Sequence, residues 1–361
     1  MQKMFTRFNY KYQSNMEGNM KVMYIKEPGQ VEFIDVEKPV RKKGEVLLKL
    51  LYGGICGSDL GSYKGTFAYF DYPRIPGHEF SAEIVEADED NEQGLRPGMI
   101  VTCNPYFNCG HCYSCKNGIV NACMDNQTMG CQRDGAFQEY ITMPSERVYD
   151  GKGIDPMLLA VIEPFCISYH GVSRAEVGTG EKVLVIGAGT IGVLAAVAAK
   201  AKGALVYISD VSEGKLEMAK AFGVDGTILN DSPENFEKAV NDITEGNGFD
   251  TAIEAVGLPS TFQNCIDAAC FGGKVVVIGV GKKNLDFNFT LLQKKELNVF
   301  GSRNALKKDF VELIDLVKSG ETPIENIITN VYKFENGAKA FYDFAHNPGD
   351  MLKVVIDFTG N

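Results

Sequence analysis

The segment that most restricts what this chain can fold into starts near residue 181. There the apolar run VLVI leads directly into Gly187-Ala188-Gly189-Thr190-Ile191-Gly192, and an Ala-rich helical run, TIGVLAAVAAKAKG, begins within the same motif. The alternation then repeats through ALVYISD, EGKLEMAKAFG, GTILN, a helical pattern over 233–245, FDTAIEAVG, TFQNCIDAACFGG and KVVVIGV. Short, continuously apolar strands alternating with amphipathic helices predict an α/β fold with a parallel, doubly wound sheet.

The three glycines of this turn have separate jobs in a dinucleotide-binding fold. One makes the tight turn, one lets the backbone approach a pyrophosphate, and one permits close helix–strand packing. The anion would sit on the helix N-terminus, where free N–H groups and the dipole favour negative charge. Asp210 ends the next strand, 18 residues after Gly192. An acidic group there accepts hydrogen bonds from the adenosine ribose and repels a 2′-phosphate, so the cofactor reads as NAD rather than NADP. Lys215 could reach the same ribose or be a solvated surface lysine. The bland alternatives are a structural turn for Gly187–Gly192 and a helix N-cap for Asp210.

The first half of the chain has a different character. Residues 20–160 carry short β-like runs, such as VEFIDVE, EVLLKLLYGGI and FSAEIVEA, broken by Gly, Pro and Asp. Irregular stretches over 61–77 and 102–135 lie between them, which predicts a small β-rich, barrel-type domain with long functional loops. The tail from about 301 returns to mixed character and ends in LKVVIDF, a strand that could rejoin the first domain. The expected division is therefore 1–163, 164–300 and 301–361. Met20-Lys21-Val22 reads as a natural start, so residues 1–19 read as an extension or as residues added by the choice of start.

Net charge is −11, which argues against a nucleic-acid footprint and fits an anionic membrane surface poorly. No stretch is long and apolar enough to span a bilayer, and the N-terminal segment lacks the apolar core of a secretory signal. A cytoplasmic protein is expected, and its ten cysteines are then more suited to metal than to disulfides.

Cys109-x2-Cys112-x2-Cys115-x7-Cys123 is the sharpest motif. Four thiolates at this spacing can close a tetrahedron around one Zn²⁺ and leave no open position, which makes a structural site. His111 lies among them and is expected to be exposed. Elsewhere Cys56 sits in GGICGSD, His78 and Glu79 in PGHE, and Glu163 before Pro164. All are competent zinc ligands, and three protein ligands plus an open position is the catalytic arrangement. No spacing rule links them, and each has a bland reading: a core thiol, a hydrogen-bonded loop histidine, a solvated carboxylate, a turn.

Taken in order, GGICGSD, PGHE, C-x2-C-x2-C-x7-C, EP and GAGTIG resemble the zinc-dependent medium-chain dehydrogenases, and most of all their sorbitol, threonine and sugar-acid dehydrogenase branch. The likeness runs from about residue 20 to 358. It implies a GroES-like catalytic domain split around a central Rossmann domain that binds NAD. It implies Cys56, His78 and Glu163 around a catalytic zinc, with Glu79 a direct or alternating ligand. Ser58 would take the substrate proton, and Asp59 would orient the histidine ligand. Gly279-Val280-Gly281 would line the nicotinamide. Arg303 would contact cofactor or substrate, or form a surface ion pair, and His170 reads as a packed helix residue. Relatives of this kind are homodimers or homotetramers.

Two departures narrow the substrate. Where many relatives carry a relay histidine, five residues after the zinc cysteine, this chain has Gly61. Where sorbitol dehydrogenases carry a substrate-contacting tyrosine, it has Ser62. The expected reaction is oxidation of a secondary alcohol of a polyol or hexonate-like sugar acid to a ketone. The alternatives are a threonine or 2,3-butanediol-type dehydrogenase, and a non-catalytic binding protein on the same fold.

Overall fold

The computed structural model describes residues 18–281 and 283–360, so the reading of 1–19 as an extension lies outside them except for its last two residues. In chain order the first elements are β1 (Asn19–Glu27), β2 (Gln30–Glu37), β3 (Glu45–Ile55), α1 (Gly57–Tyr63), β4 (Glu79–Glu86), β5 (Ile100–Cys103) and β6 (Tyr106–Phe107). Then come α2 (Tyr113–Lys116), β7 (Gln127–Thr128), β8 (Tyr140–Pro144), β9 (Val148–Asp150) and α3 (Pro156–Leu159). An alternating run follows: α4 (Ile162–Arg174), β10 (Lys182–Ile186), α5 (Thr190–Ala201), β11 (Leu205–Asp210), α6 (Glu213–Ala219), β12 (Gly226–Leu229), α7 (Pro233–Thr244), β13 (Phe249–Glu254), α8 (Pro259–Ala268) and β14 (Ala269–Val277). Last are α9 (Thr290–Lys294), β15 (Asn298–Gly301), α10 (Lys307–Lys318), β16 (Ile328–Lys333), α11 (Gly337–His346) and β17 (Lys353–Asp357).

The chain forms two compact units. The first comprises residues up to Phe107, Gln127–Ala160 and the stretch from Asn330 onward; the second comprises Asn108–Asn126 and Val161–Thr329. This differs from the division read off the sequence in two respects. The cysteine-rich loop goes with the second unit, and the return to the first unit falls at Asn330, not at 301. The second shift has a packing reason: α10 lies on α4 and buries Phe310, Leu313 and Ile314 there.

The first unit is built on a seven-stranded sheet in the order β16-β17-β3-β4-β5-β9, with β8 also paired to β3. β3 is long enough to serve three partners. Its start pairs with β8, its length with β4 and its end with β17, all antiparallel. Val46, Leu48, Phe80, Phe137 and Phe358 fill the core beside it.

The second unit holds six parallel strands in the order β12-β11-β10-β13-β14-β15. The order reverses between β10 and β13, and doubly wound sheets bind ligands beyond the carboxyl ends of the strands at such a switch point. α5 follows β10 there. Its residues Gly192 to Ala199 are all buried, and most are Gly or Ala, so the helix axis can lie close to the sheet. Among the described residues, no helix is long and apolar enough to cross a membrane.

Candidate active site

In the first unit, ligand atoms of Cys56, His78 and Glu79 lie within 4.8 Å of one another. The local fold explains why. Cys56 is the N-cap of α1, and its N–H donates to Asp59 Oδ2 at 2.9 Å. Asp59 Oδ1 accepts the Gly77 N–H at 3.1 Å and stands 3.9 Å from His78 Nδ1. One carboxylate therefore ties the start of α1 to the turn that carries His78. Burial pushes the Asp59 carboxyl above its usual range, and the nearby His78 and the two backbone donors pull back against that rise.

Glu79 starts β4 opposite Gly54 of β3. A Cβ on Gly54 would fall 2.2 Å from Glu79 Oε2, so the second glycine of GGICGSD is the space that the carboxylate occupies. Both Glu79 oxygens receive Lys353 Nζ, at 2.8 and 2.6 Å, and Lys353 is itself buried. The sequence reading missed Lys353. Its one signal was a lysine directly before the apolar run VVI of β17. Ser58 lies partly exposed in the first turn of α1, two residues from Cys56. Ser62 is buried, and its Oγ donates back to the Ser58 carbonyl at 2.9 Å. Glu163 is the second residue of α4 and belongs to the other unit.

A thiol, an imidazole and a carboxylate at this separation form a donor set suited to zinc. The second candidate fits better still. The sulfurs of Cys109, Cys112, Cys115 and Cys123 all lie within 4.8 Å of one another. Those of Cys112 and Cys123 are 3.9 Å apart, and a ZnS4 tetrahedron with bonds of about 2.3 Å has edges of about 3.8 Å. Backbone N–H groups already point at sulfur, from Cys109 to Cys123 and from Cys112 to Cys109. The N–H groups of Cys115 and Met124 lower the Cys112 thiol to about 6, whereas burial lifts Cys123 to about 11. His111 is exposed and turns Nδ1 to the Cys109 carbonyl; with Cys109 and Asp125 it makes a second group that shares a ligand with the four thiols.

The dinucleotide turn occupies the switch point. A Cβ on Gly192 would lie 1.7 Å from the Gly187 carbonyl oxygen, so helix and turn meet there without room for a side chain. At Gly189, the N-cap of α5, a Cβ would meet nothing within 4 Å, and no side chain caps the helix. An uncapped N-terminus beside open space is what a pyrophosphate requires. Ile191, in that first turn, is half-buried, and its carbonyl accepts Ser168 Oγ.

Asp210 is not a helix cap: Ser212 caps α6 and accepts the Lys215 N–H. Asp210 instead accepts the N–H of Ala188 at 2.7 Å and of Ser212 at 3.0 Å, bracing the glycine turn against the end of β11. Glu254, which sequence reasoning passed over, does the same for β13. It is buried and accepts from Val256 N, Gly257 N and Thr261 Oγ1, and its other oxygen fills the space that a Cβ on Gly279 would need. Val280 is left exposed, flanked by Gly279 and Gly281.

Arg303 Nη1 donates to the Cys123 carbonyl at 3.0 Å and the Arg303 carbonyl accepts Asn121 Nδ2 at 2.9 Å, so the residue joins the cysteine lobe to the chain that follows β15. His170 is buried on α4 as expected, and it is hydrogen-bonded at both ring nitrogens.

Two family models match the chain: an alcohol dehydrogenase GroES-like domain over residues 42–152 and a zinc-binding dehydrogenase over 190–319. L-galactonate-5-dehydrogenase of Escherichia coli K12 is 35% identical over 339 residues, covering 94% of this chain and 99% of that protein. The chain belongs to the zinc-dependent medium-chain dehydrogenases. Solved members of the family show the same fold. The alcohol dehydrogenase rspB of E. coli CFT073, determined with NADH, is 30% identical with a TM-score of 0.87, covering 94% of this chain and all of that one. A zinc-binding dehydrogenase of Sinorhizobium meliloti, bound to NADP, is 28% identical with a TM-score of 0.87, covering 95% and 100%. Members of this family are oxidoreductases that use zinc and a nicotinamide dinucleotide, and this chain is one of them.

Proposed function

We propose that this dehydrogenase oxidises a secondary alcohol of a sugar acid of the hexonate kind, or of a polyol, to the ketone, with NAD as oxidant. The observation that carries the reading is the convergence of Cys56, His78 and Glu79 beside Ser58 and Asp59. The likeness to L-galactonate-5-dehydrogenase supports the substrate class.

In such a site zinc supplies a Lewis acid that makes an alcohol easier to deprotonate, and NAD supplies the hydride acceptor. The chain does the rest. Cys56, His78 and Glu79 hold the metal, and Asp59 fixes the orientation of His78 through the Gly77 backbone. Ser58 Oγ accepts the proton of the substrate hydroxyl and passes it outward. Gly61 has no side chain to carry the proton further, so water or a ribose hydroxyl completes the path. Gly187, Gly189 and the N–H groups at the start of α5 bind the pyrophosphate. Asp210 accepts from the adenosine ribose and repels a 2′-phosphate, and Lys215 borders the same ribose. Gly279, Val280 and Gly281 border the nicotinamide. The four cysteines hold a second, structural zinc. The role given to Glu163 rests on the family resemblance alone.

The test is a panel of hexonates, polyols, threonine and 2,3-butanediol, with NAD and with NADP. The highest kcat/KM should fall on a hexonate or polyol with NAD; a maximum on threonine or the diol would move the protein to the alternative branch. Cys56→Ala should abolish turnover while leaving NAD binding intact, and retained turnover would sink the mechanism.

A further inference from the structure

Within the second unit, a hydrogen-bonded latch joins the cysteine lobe to the edge of the parallel sheet. Asn121 is buried in the single 3-10 turn that precedes Cys123. Its Nδ2 donates to the Arg303 carbonyl at 2.9 Å and to His170 Nε2 at 3.1 Å. His170 Nδ1 lies 2.8 Å from Asp309 Oδ2, and the same oxygen accepts the Leu306 N–H at 2.7 Å where α10 begins. In return Arg303 Nη1 donates to the Cys123 carbonyl at 3.0 Å, and Asn304 Nδ2 to the Asn121 carbonyl at 3.3 Å. Only one proton arrangement satisfies these contacts. The Asp309 carboxylate accepts, so His170 carries its proton on Nδ1 and offers a lone pair at Nε2 to the Asn121 amide.

The far side of the latch is the ligand edge of the sheet. Ser302 N–H donates to the Val277 carbonyl at 2.9 Å, at the C-terminal end of β14. Gly171 of α4 lets Ile278 approach so closely that a Cβ would fall 2.5 Å from its Cδ1. The next residues are Gly279-Val280-Gly281. Burying an Asp–His–Asn chain costs desolvation, which apolar residues would avoid; its return is a fixed geometry. The network touches neither a cysteine sulfur nor the glycine turn, so holding a metal or a phosphate does not account for it.

We infer that Asn121, His170 and Asp309 are positioning residues that couple metal occupancy of the four-cysteine lobe to dinucleotide binding. A closed lobe fixes Asn121 and the Cys123 carbonyl, these fix residues 302–304, and these fix the end of β14. The inference rests on the reading of the four cysteines as a zinc site and of Gly279–Gly281 as the nicotinamide edge.

The experiment uses the zinc-loaded full chain. NADH affinity is read by fluorescence titration and zinc content by elemental analysis, for wild type, Asn121→Ala, Cys115→Ser and the double variant. Asn121→Ala should keep its zinc yet bind NADH roughly tenfold more weakly, a coupling of ordinary size. Cys115→Ser should lose one zinc and weaken NADH similarly, and the double variant should be no weaker than the weaker single. Tyr113→Ala, on the exposed face of the lobe, should bind NADH like wild type. If Cys115→Ser does not fold, reciprocity gives a second reading. NADH should raise the lobe's zinc affinity, read by equilibrium competition with a chromogenic chelator, by the same factor in wild type, and should not do so in Asn121→Ala. Multiplicative losses in the double variant, a silent Asn121→Ala, or an equal loss in Tyr113→Ala would each overturn the latch. If wild type binds no NADH, or if Cys115→Ser folds and keeps all its zinc, the underlying reading falls and the latch with it. If wild type passes both checks while Asn121→Ala is silent, the latch alone falls.

Discussion

Replacing Lys353 by methionine tests the construction of the Cys56–His78–Glu79 site most directly. Glu79 is 0% exposed and Lys353 3% exposed, and Nζ stands 2.8 and 2.6 Å from the two carboxylate oxygens. A pair this deep contributes little net stability relative to an apolar pair. Deleting one partner is different, because the other charge is left buried without its counter-charge: the expected cost is about 3–5 kcal/mol. For a protein of this size that lowers Tm by roughly 4–7 °C. Packing alone cannot mimic the effect, since methionine keeps most of the volume of the lysine stem. The assay is urea unfolding of wild type, Lys353→Met, Glu79→Gln and the double variant, each with its zinc content. If the charge pair is the cause, the double variant should cost less than the sum of the singles by about 2 kcal/mol, the scale of coupling between residues in contact. Lys353→Met should also hold less zinc at Cys56 and His78, because Glu79 loses the group that aims it. Additive losses, or a Lys353→Met cost below about 1 kcal/mol, would refute the claim that Lys353 sets the position of Glu79.

Three further expectations follow from the same geometry. Gly54→Ala would place a methyl 2.2 Å from a carboxylate oxygen that Lys353 pins in place; it should cost about 1–3 kcal/mol by overpacking and lower zinc content, and a variant with wild-type Tm and metal would count against the close approach. Asp210→Ser removes both the charge that repels a 2′-phosphate and the brace on Ala188, so the ratio of kcat/KM for NAD over NADP should fall by roughly tenfold or more, and an unchanged ratio would refute the assignment. In metal-stripped protein at pH 7, Cys112 lies above its pKa of about 6 and is mostly thiolate, while Cys123 lies far below its value of about 11 and is mostly thiol. Iodoacetamide should therefore label Cys112 first and Cys123 last of this pair, as peptide mass mapping would show; the reverse order would contradict the environments described.

What could be read in advance divides by distance along the chain. The glycine turn and the four cysteines are local motifs, each closed within a few turns of chain, so spacing alone gave both the chemistry and the residues. The alternation of apolar strands and helices fixed the doubly wound sheet for the same reason: hydrophobic period is a property of neighbours in sequence. Cys56 and His78 are 22 positions apart, and only the Gly54–Glu79 register of β3 and β4 brings them to one place. Lys353 comes from 274 residues beyond Glu79, delivered by the pairing of β17 with the end of β3. The hydrogen bonds of the cysteine lobe to Arg303 and Asn304 join residues 180 to 183 positions apart, and nothing in the sequence shows them. The observed units differ from the division read along the chain because the apolar face of α10 packs on α4, a pairing that local sequence does not show.

The zinc-dehydrogenase resemblance, the glycine turn after β10 and the grouping of the four cysteines were thus legible in the sequence by itself. Tertiary structure brought Glu79 beside Cys56 and His78, and decided what charge holds that carboxylate and how the cysteine lobe reaches the sheet edge. Those contacts join residues whose only relation is strand register and helix packing, and burial makes them matter: a charge or amide removed from water must find its partner wherever the fold has placed one.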